Sequence, residues 1–560
     1  MDSERAPLLP SYKEATTRER QRQPFLTWIF GFGFLGAVIV IIVLLLNPSN
    51  VPSTAPPLKP MPGPEPEPMP SPEPEPEPQP EPKPKPLPYH MLYHVAIVGA
   101  GPAGVFAAEQ LRKNEGELDK PLSITVFERK PAVGGRLTTD WPLYPFNDYQ
   151  QQPLLPESAS IRSLSHGAIL EAAEEYDVQP RPSDHKESIV YNVRGSFELT
   201  RPSNKASWTS WTRESYFFGN SCKKVKEVGN IAKSQLLQLY RDTMPVNSIQ
   251  ELVERHDLKN ALSNGGLRIL EEHDVPRIYM DDVLEGEIAI QYSQSMRSLN
   301  NLALGIGAYN ADQGKSLQGG SMAETLQAML DDNSVDLRLS TEVFGFRRFN
   351  ATTWIVASRK QGTSSQPEYN MFDAVIVAAP FFPNDFEFEN TKVRTTPRYI
   401  DYVNQHITWF TSSVEPDRDA LGINATSPFP DRVIMRAPRS WPHPRGGQGF
   451  VEISDLGVIS HRNTRVDQHL YRVLSEGRLE DRHLVVLLNG ESPSWVGRHE
   501  IKTAYPKLYT RLDFPPIVFD DGFWSPLSIE TVGTSVELSA WAGKNVASLV
   551  VAELAKRADD

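Results

Sequence analysis

Six residues in one short stretch have the types and spacing of a phosphate- and ribose-binding site: Gly99, Gly101, Gly104, Glu128, Gly135 and Arg136. Gly99 allows a tight turn. Gly101 has no side chain to keep a pyrophosphate from the backbone. Gly104 lets a helix pack closely on the strand before it. An acid about two dozen residues past the last glycine can take ribose hydroxyls, and Glu128 stands there. Three elements must position these groups. Val95-Ala96-Ile97-Val98 reads as a buried strand, residues 105–113 as an alanine-rich helix, and 122–127 as a second strand ending at Glu128. The helix then turns its free N–H groups and the positive end of its dipole toward the phosphates.

After Glu128-Arg129 comes a second glycine turn, Gly134-Gly135-Arg136. This pattern resembles the flavin site of the amine-oxidase-like FAD enzymes. There the second glycine pair meets the same pyrophosphate, and its arginine lies near the flavin. The resemblance implies FAD, and since no histidine or cysteine is placed like a known flavin attachment site, it is expected to be held non-covalently. NADP is disfavoured, because Glu128 would repel a 2′-phosphate. Gly319-Gly320 opens a further helix, with a strand expected over 336–343, and 372–380 reads as a buried strand. Both resemble the segments that return the chain to the FAD domain in these enzymes. There Val343 would touch the adenine side through its backbone. Residues 157–160 stand where such enzymes carry a glycine facing the flavin; this chain has Ala159.

The chain of 560 residues carries a net charge of −13 and shows no basic cluster with interleaved aromatics, which argues against nucleic-acid binding. Its one cysteine, Cys222, can form no intramolecular disulfide and no thiolate metal site. HExxH and GxSxG spacings are absent, so neither a zinc protease nor a serine hydrolase is indicated, and no metal is expected.

Residues 1–24 are polar, and Arg18, Arg20 and Arg22 precede an uncharged apolar run at 25–46. At ~1.5 Å per residue that run reaches roughly 33 Å as a helix, enough to cross a bilayer. The arginines on its N-terminal flank put the tail in the cytosol and the body across the membrane, the type II topology of a signal anchor. In the tail, Glu4 to Leu9 resembles an acidic dileucine sorting signal for the vacuolar or lysosomal route. Leu9-Pro10-Ser11-Tyr12 resembles a ligand for the WW domains of ubiquitin ligases. Residues 47–88 are a Pro/Glu-rich linker that favours extended polyproline II and, at ~3.1 Å per residue, could span on the order of 120 Å. Two N-glycosylation sequons, at Asn350 and Asn424, lie in the lumenal body.

The body, 89–560, is expected to be α/β. A Rossmann-type FAD-binding domain (about 93–165, 311–385 and 516–557) carries an inserted, largely helical substrate domain (about 166–310 and 386–515). Helical spacing appears at 163–176, 231–240, 249–262 and 278–292. Trp208, Trp211, Tyr216, Phe217 and Phe218 could line an apolar pocket. A hairpin is expected to turn at Asn350-Ala351-Thr352. The small residues Gly533, Ser539, Ala540, Ala542, Gly543 and Ala547 would let a last helix start close beneath a flavin ring.

Four pieces together resemble the prenylcysteine oxidase (prenylcysteine lyase) family. They are residues 95–104 with 128–136; Met280-Asp281-Asp282-Val283 running on to Tyr292-Ser293-Gln294-Ser295; Gly319-Gly320 with its helix; and Ser528-Ile529-Glu530 through Glu537, Ser539 and Asn545. Ser321 departs from the asparagine that members often carry there. The resemblance implies oxidation of farnesyl- or geranylgeranyl-cysteine with O2 and water to cysteine, an isoprenoid aldehyde and H2O2. It brings Arg129 and Glu530 among the cofactor-side residues and leaves any catalytic base unnamed; Glu537 is a second carboxylate close to the site. The alternative is a flavin oxidase of the same fold acting on another amine or a terpenoid. The implied setting is an endomembrane lumen, the vacuole or lysosome.

Overall fold

The computed structural model describes residues 91–137, 162–163, 167–179, 187–192, 197–201, 216–242, 245–313, 315–316, 319–362, 366–380, 386–389, 393, 400–421, 429–435, 450–460 and 466–559. All of them belong to the unit that runs from 85 to 560. The apolar run at 25–46, the linker, the tail motifs, Ala159, Leu164, Trp208, Trp211 and Asn424 lie outside the described residues. Among the described residues no helix is long and apolar enough to cross a membrane.

Tyr93–Val98 is an inner strand of a six-stranded sheet. The order is Val518–Asp520, Phe523–Trp524, Ala374–Val377, Tyr93–Val98, Leu122–Phe127, Asp336–Arg338. The inner strands pair in parallel, with Val95 opposite both Ile124 and Ala374. Both faces are covered, so Val95, Ala96 and Ile97 are fully buried; a continuous apolar run is what a parallel strand buried on both sides requires. Gly99 leads into the helix Pro102–Lys113, which has proline in its first turn and buries Val105, Phe106, Ala108 and Leu111. The closing helix Val536–Asp559 crosses it so closely that a Cβ on Gly543 would lie 2.1 Å from the Ala103 carbonyl oxygen. Much of the small-residue pattern near the C-terminus therefore serves helix–helix packing.

The strand expected over 336–343 is two strands. Ser340, at φ +51°, breaks it. Asp336–Arg338 stays in the parallel sheet, and Thr341–Arg348 starts a four-stranded sheet with Trp354–Lys360, Glu368–Phe372 and Glu387–Phe388. The hairpin between Thr341–Arg348 and Trp354–Lys360 turns at Asn350, whose Oδ1 accepts the N–H groups of Thr352 and Thr353.

The helical segments fall near the expected places, in shorter pieces. Ala168–Glu175 buries Ile169 and Ala172. Ser221–Arg241 is one long helix. The run at 249–262 is two helices, Ile249–Arg255 and Lys259–Ser263, because Asp257 takes φ +49°. The run at 278–292 contains a π-helical turn, Met280–Leu284, before the α-helix Glu285–Tyr292, which ends at Ser293 with φ +51°.

The expectation of a largely helical substrate domain needs correction. A seven-stranded sheet accompanies these helices, in the order Trp495–Pro506, Tyr402–Ser412, Asp467–Ser475, Phe450–Ser460, Arg432–Met435, Glu187–Asn192, Phe197–Arg201. One face, with Ile407, Trp409, Leu470 and Leu474, packs on Ile288, Tyr292 and Leu304. The other, with Phe410, Val433, Ile453 and Tyr471, packs on Leu484, Leu487 and Leu488. With both faces buried, the strands lose the apolar–polar alternation that marks a half-exposed sheet.

Candidate active site

A cleft of about 1360 Å³ lies where the parallel sheet meets the edge strand of the seven-stranded sheet. It exceeds the roughly 300–1,000 Å³ of an ordinary small-molecule pocket. One part is lined by Gly99, Gly101, Pro102, Ala103, Glu128, Arg129, Gly135, Arg136 and Val343; another by Gln291, Tyr292, Tyr402, Gln405, residues 499–505 and Glu530.

In the first part the backbone makes the surface. A Cβ on Gly104 would land 2.0 Å from the Gly99 carbonyl oxygen, so only glycine lets this helix start where it does. Gly135, at φ +59°, brings the second glycine turn against the first: a Cβ there would be 3.0 Å from Gly101 Cα. The two turns are tied by Gly134 N–H donating to the Ala100 carbonyl at 2.8 Å. Lys130 Nζ closes the second turn on the Gly135 carbonyl. Glu128 is buried, and its two carboxylate oxygens accept the N–H groups of Ala100 and Lys130, each at 2.8 Å. Each oxygen keeps further lone pairs for a hydroxyl. Arg129 is exposed at the rim, and Val343 is buried beside a bulge in its strand.

Arg136 leads into the second part. It pairs with Glu530, whose other oxygen accepts the Tyr402 hydroxyl at 2.7 Å. Burial pushes the Tyr402 phenol well above its usual range, and the Glu530 charge adds to this. Burial opposes the Arg136 charge, but Glu530 outweighs it and holds the guanidinium above its ordinary value. Arg136 Nη1 is buried with no hydrogen-bond partner among the described residues, so this end of the guanidinium can serve an acceptor on a bound molecule.

Tyr292 and Tyr505 meet edge to face, centroids 6.2 Å apart, and burial raises both phenols. Gln294 fastens them: its amide donates to the Pro506 carbonyl at 2.9 Å and accepts the Leu508 N–H at 3.1 Å. The Met280-to-Ser295 piece therefore carries a tyrosine into the cleft and ties its helix to the strand that carries the other. His499 lines the same wall; burial, then Lys130 and His406, lower its pKa to about 4.

Several expected residues lie elsewhere. Tyr216 and Phe217 are exposed, and Phe218 packs on Tyr279, so these three aromatics do not line the cleft. Glu537 is fully buried and is not part of the lining, whereas Ser539 is. Cys222 is half-buried on the long helix, away from the cleft. Among the described residues no His/Cys/Asp/Glu group could hold a metal. Sequence reasoning missed Gln291, Tyr402, Gln405, His499 and Tyr505. Only Gln291 had a local signal, since it adjoins the Tyr292 motif.

FAD fits this surface. Two side-chain-free turns share one point, the buried Glu128 carboxylate stands beside them, and the unpartnered Arg136 nitrogen lies further along the same cleft. A parallel sheet with these turns and this buried acid is a dinucleotide-binding fold, here suited to FAD. Residues 97–145 match the NAD(P)-binding Rossmann-like domain, and 205–560 match the prenylcysteine lyase model. The second match covers more than half of the chain, and the chain belongs to the prenylcysteine lyase family. No curated protein matches it by sequence. Among solved structures, a single-substitution variant of putrescine oxidase is similar at 15% identity and TM-score 0.49, over 82% of this chain and 99% of that one. An oxidoreductase from Methanosarcina mazei is similar at 11% identity and TM-score 0.46, over 81% and 99%.

Proposed function

We propose that the protein is a thioether oxidase that cleaves prenylcysteine, with O2 and water, to cysteine, an isoprenoid aldehyde and H2O2. One observation carries the reading. The family match at 205–560 falls on the half of the chain that supplies the wall of the cleft facing away from the nucleotide turns, including Gln291, Tyr292, Tyr402, Tyr505 and Glu530.

FAD, when bound, supplies a two-electron acceptor for the hydride on the carbon beside sulfur, and O2 takes the electrons on. Loss of that hydride is eased by the neighbouring sulfur and the allylic double bond. Water adds to the carbon, and the hemithioacetal collapses to aldehyde and thiol. The chain's own work is binding and orientation. The glycine turns and Glu128 hold the nucleotide end. Arg136, fixed by Glu530, which Tyr402 steadies, presents its free nitrogen. The Tyr292 and Tyr505 rings and Leu527 offer apolar surface to the prenyl chain.

The reading extends to placement. A lumenal body tethered through 25–46 would meet a substrate that partitions into membranes. Asn350, exposed in its hairpin turn, is open to glycosylation there. Loss of an endoglycosidase-sensitive mass on Asn350→Gln would support that side of the membrane; an unchanged mass would count against it.

The test of the activity is spectroscopic. Full-length protein in detergent is mixed with farnesylcysteine without oxygen. Bleaching of the flavin bands, and their return on admitting air with one H2O2 released per aldehyde, is the expected result. A flavin that stays oxidised would keep the class and remove the substrate.

A further inference from the structure

We propose that Gln291 and Gln405 form an ammonium subsite that selects substrates with a free amino group. The inference rests on the oxidase reading for its substrate and on separate observations for its site. Both residues line the cleft, and both are more than nine-tenths buried, at 6% and 2% exposure. In each the side-chain carbonyl oxygen is buried and has no partner among the described residues. A buried amide oxygen left unpaired is costly. Two in one cleft call for a donor that the described residues do not provide.

The geometry fixes which end of Gln291 is free. Its Nε2 donates to the Glu287 carbonyl at 3.2 Å and to the Gly307 carbonyl at 3.1 Å. Exchanging the ends would set oxygen against two carbonyls, so Oε1 is the unpaired, accepting end. Gln405 comes from the sheet. A bulge between Val403 and Gln405 shifts the register beside it. Farther along, Ile407 and Trp409 face the layer that contains Tyr292. A helix and a strand distant in sequence thus each bring one neutral acceptor to a cleft lined by the Tyr292 and Tyr505 rings.

Neutral acceptors suit the amino-acid end of the proposed substrate. A primary ammonium offers three donors and no acceptor. A buried carboxylate would bind it more strongly, but it would also repel the carboxylate two bonds away in the same amino acid. An amide oxygen takes the ammonium without that penalty. Nearby, the Glu530 carboxylate is already engaged by Arg136 and Tyr402.

The experiment measures binding, which does not depend on turnover. Full-length wild type, Gln291→Met and Gln405→Met, each with its flavin first reduced by dithionite so that it can take no hydride, are titrated without oxygen with farnesylcysteine and with 3-(farnesylthio)propanoic acid, which lacks only the amino group. Intrinsic fluorescence reports Kd. Wild type is expected to favour farnesylcysteine by roughly 10- to 100-fold, the range for hydrogen bonds to a charged group. Each variant should lose most of that preference by weakening farnesylcysteine alone, while its oxidised flavin spectrum, recorded before reduction, matches that of wild type. Equal affinity of wild type for the two ligands would overturn the inference, as would variants that weaken both alike. Gln405→Met tests the idea even where Gln291→Met, which also loses two helix hydrogen bonds, unfolds. A wild type that discriminates but does not oxidise would sink the thioether oxidase and leave the subsite standing.

Discussion

The two walls of the cleft are built on opposite plans. The nucleotide wall works through backbone: its key positions are glycines, and its buried acid, Glu128, is held by main-chain N–H groups. The opposite wall works through side chains: two glutamines, paired tyrosines, a glutamate–tyrosine pair that holds Arg136 of the first wall, and a histidine, drawn from segments far apart in sequence. A backbone wall should fail abruptly when any atom is added. A side-chain wall should fail by degrees, one function at a time.

The sharpest test of the first half is Gly104→Ala. Its Cβ would lie 2.0 Å from a carbonyl oxygen, with no flexible side chain to give way. The cost should exceed the roughly 1–3 kcal/mol of a tolerated overpacking. The expected outcome is insoluble protein, or protein without flavin absorbance. Well-folded, flavin-replete Gly104→Ala would break the contrast between the walls.

Glu452→Gln tests whether the second sheet can be harmed without touching the cofactor. Glu452 is fully buried between Arg432 and Arg472 and also accepts from Ser454. Burial alone would raise its pKa, but the two arginines bring it down to about 2. Removing the charge leaves two buried guanidiniums poorly matched, at a cost of about 3–5 kcal/mol. Tm should fall while the flavin content of the folded fraction stays at the wild-type ratio. The sign follows from linkage. A carboxylate depressed in the fold contributes fully above its ordinary value near 4.5, and that contribution is lost as pH falls toward 2. The gap between wild type and Glu452→Gln should therefore narrow in acid.

This contrast also explains what could be read from the sequence. Gly99, Gly101, Gly104, Glu128 and Gly135 were legible because backbone contact demands one residue type at fixed spacing. The hairpin at Asn350 was legible because turn chemistry is local. The sheet containing Tyr402–Ser412 and Asp467–Ser475 was not, since layers on both faces bury Phe410 and Trp409 alike and erase the period-two signal. Gln405 and Tyr505 carry no local mark at all; they meet the cleft only because a bulged strand and an edge strand run side by side. The break at Ser340 was hidden for another reason: a left-handed serine looks like any serine in sequence.

Tyr402→Phe should act more gently. It removes one 2.7 Å hydrogen bond to Glu530 and leaves the Arg136 pair in place. A hydrogen bond to a charged group contributes about 1.5–3 kcal/mol, so a modest fall in Tm with retained flavin is expected. Complete loss of flavin would mean that the second wall also holds the cofactor, and the division between the walls would blur.

The smallest effect concerns pH. His499, with a pKa near 4 in the fold against 6.5 ordinarily, is neutral through mildly acidic conditions. The unfolded chain binds this proton below pH 6.5 and the folded chain only below about 4, so stability from this residue is complete above 6.5 and declines between the two values. Lys130, which lines the cleft, and His406, on the strand paired with that of His499, add to the effect of burial. The His499→Gln variant should therefore lose less stability than wild type between pH 6.5 and 4 in denaturant titrations, by an amount that partial solvent exposure keeps small. An equal slope in both proteins would show that His499 titrates normally and that the two walls are electrically independent. A shallower slope in the variant would show that burial, with Lys130 and His406 adding to it, keeps His499 neutral in the fold.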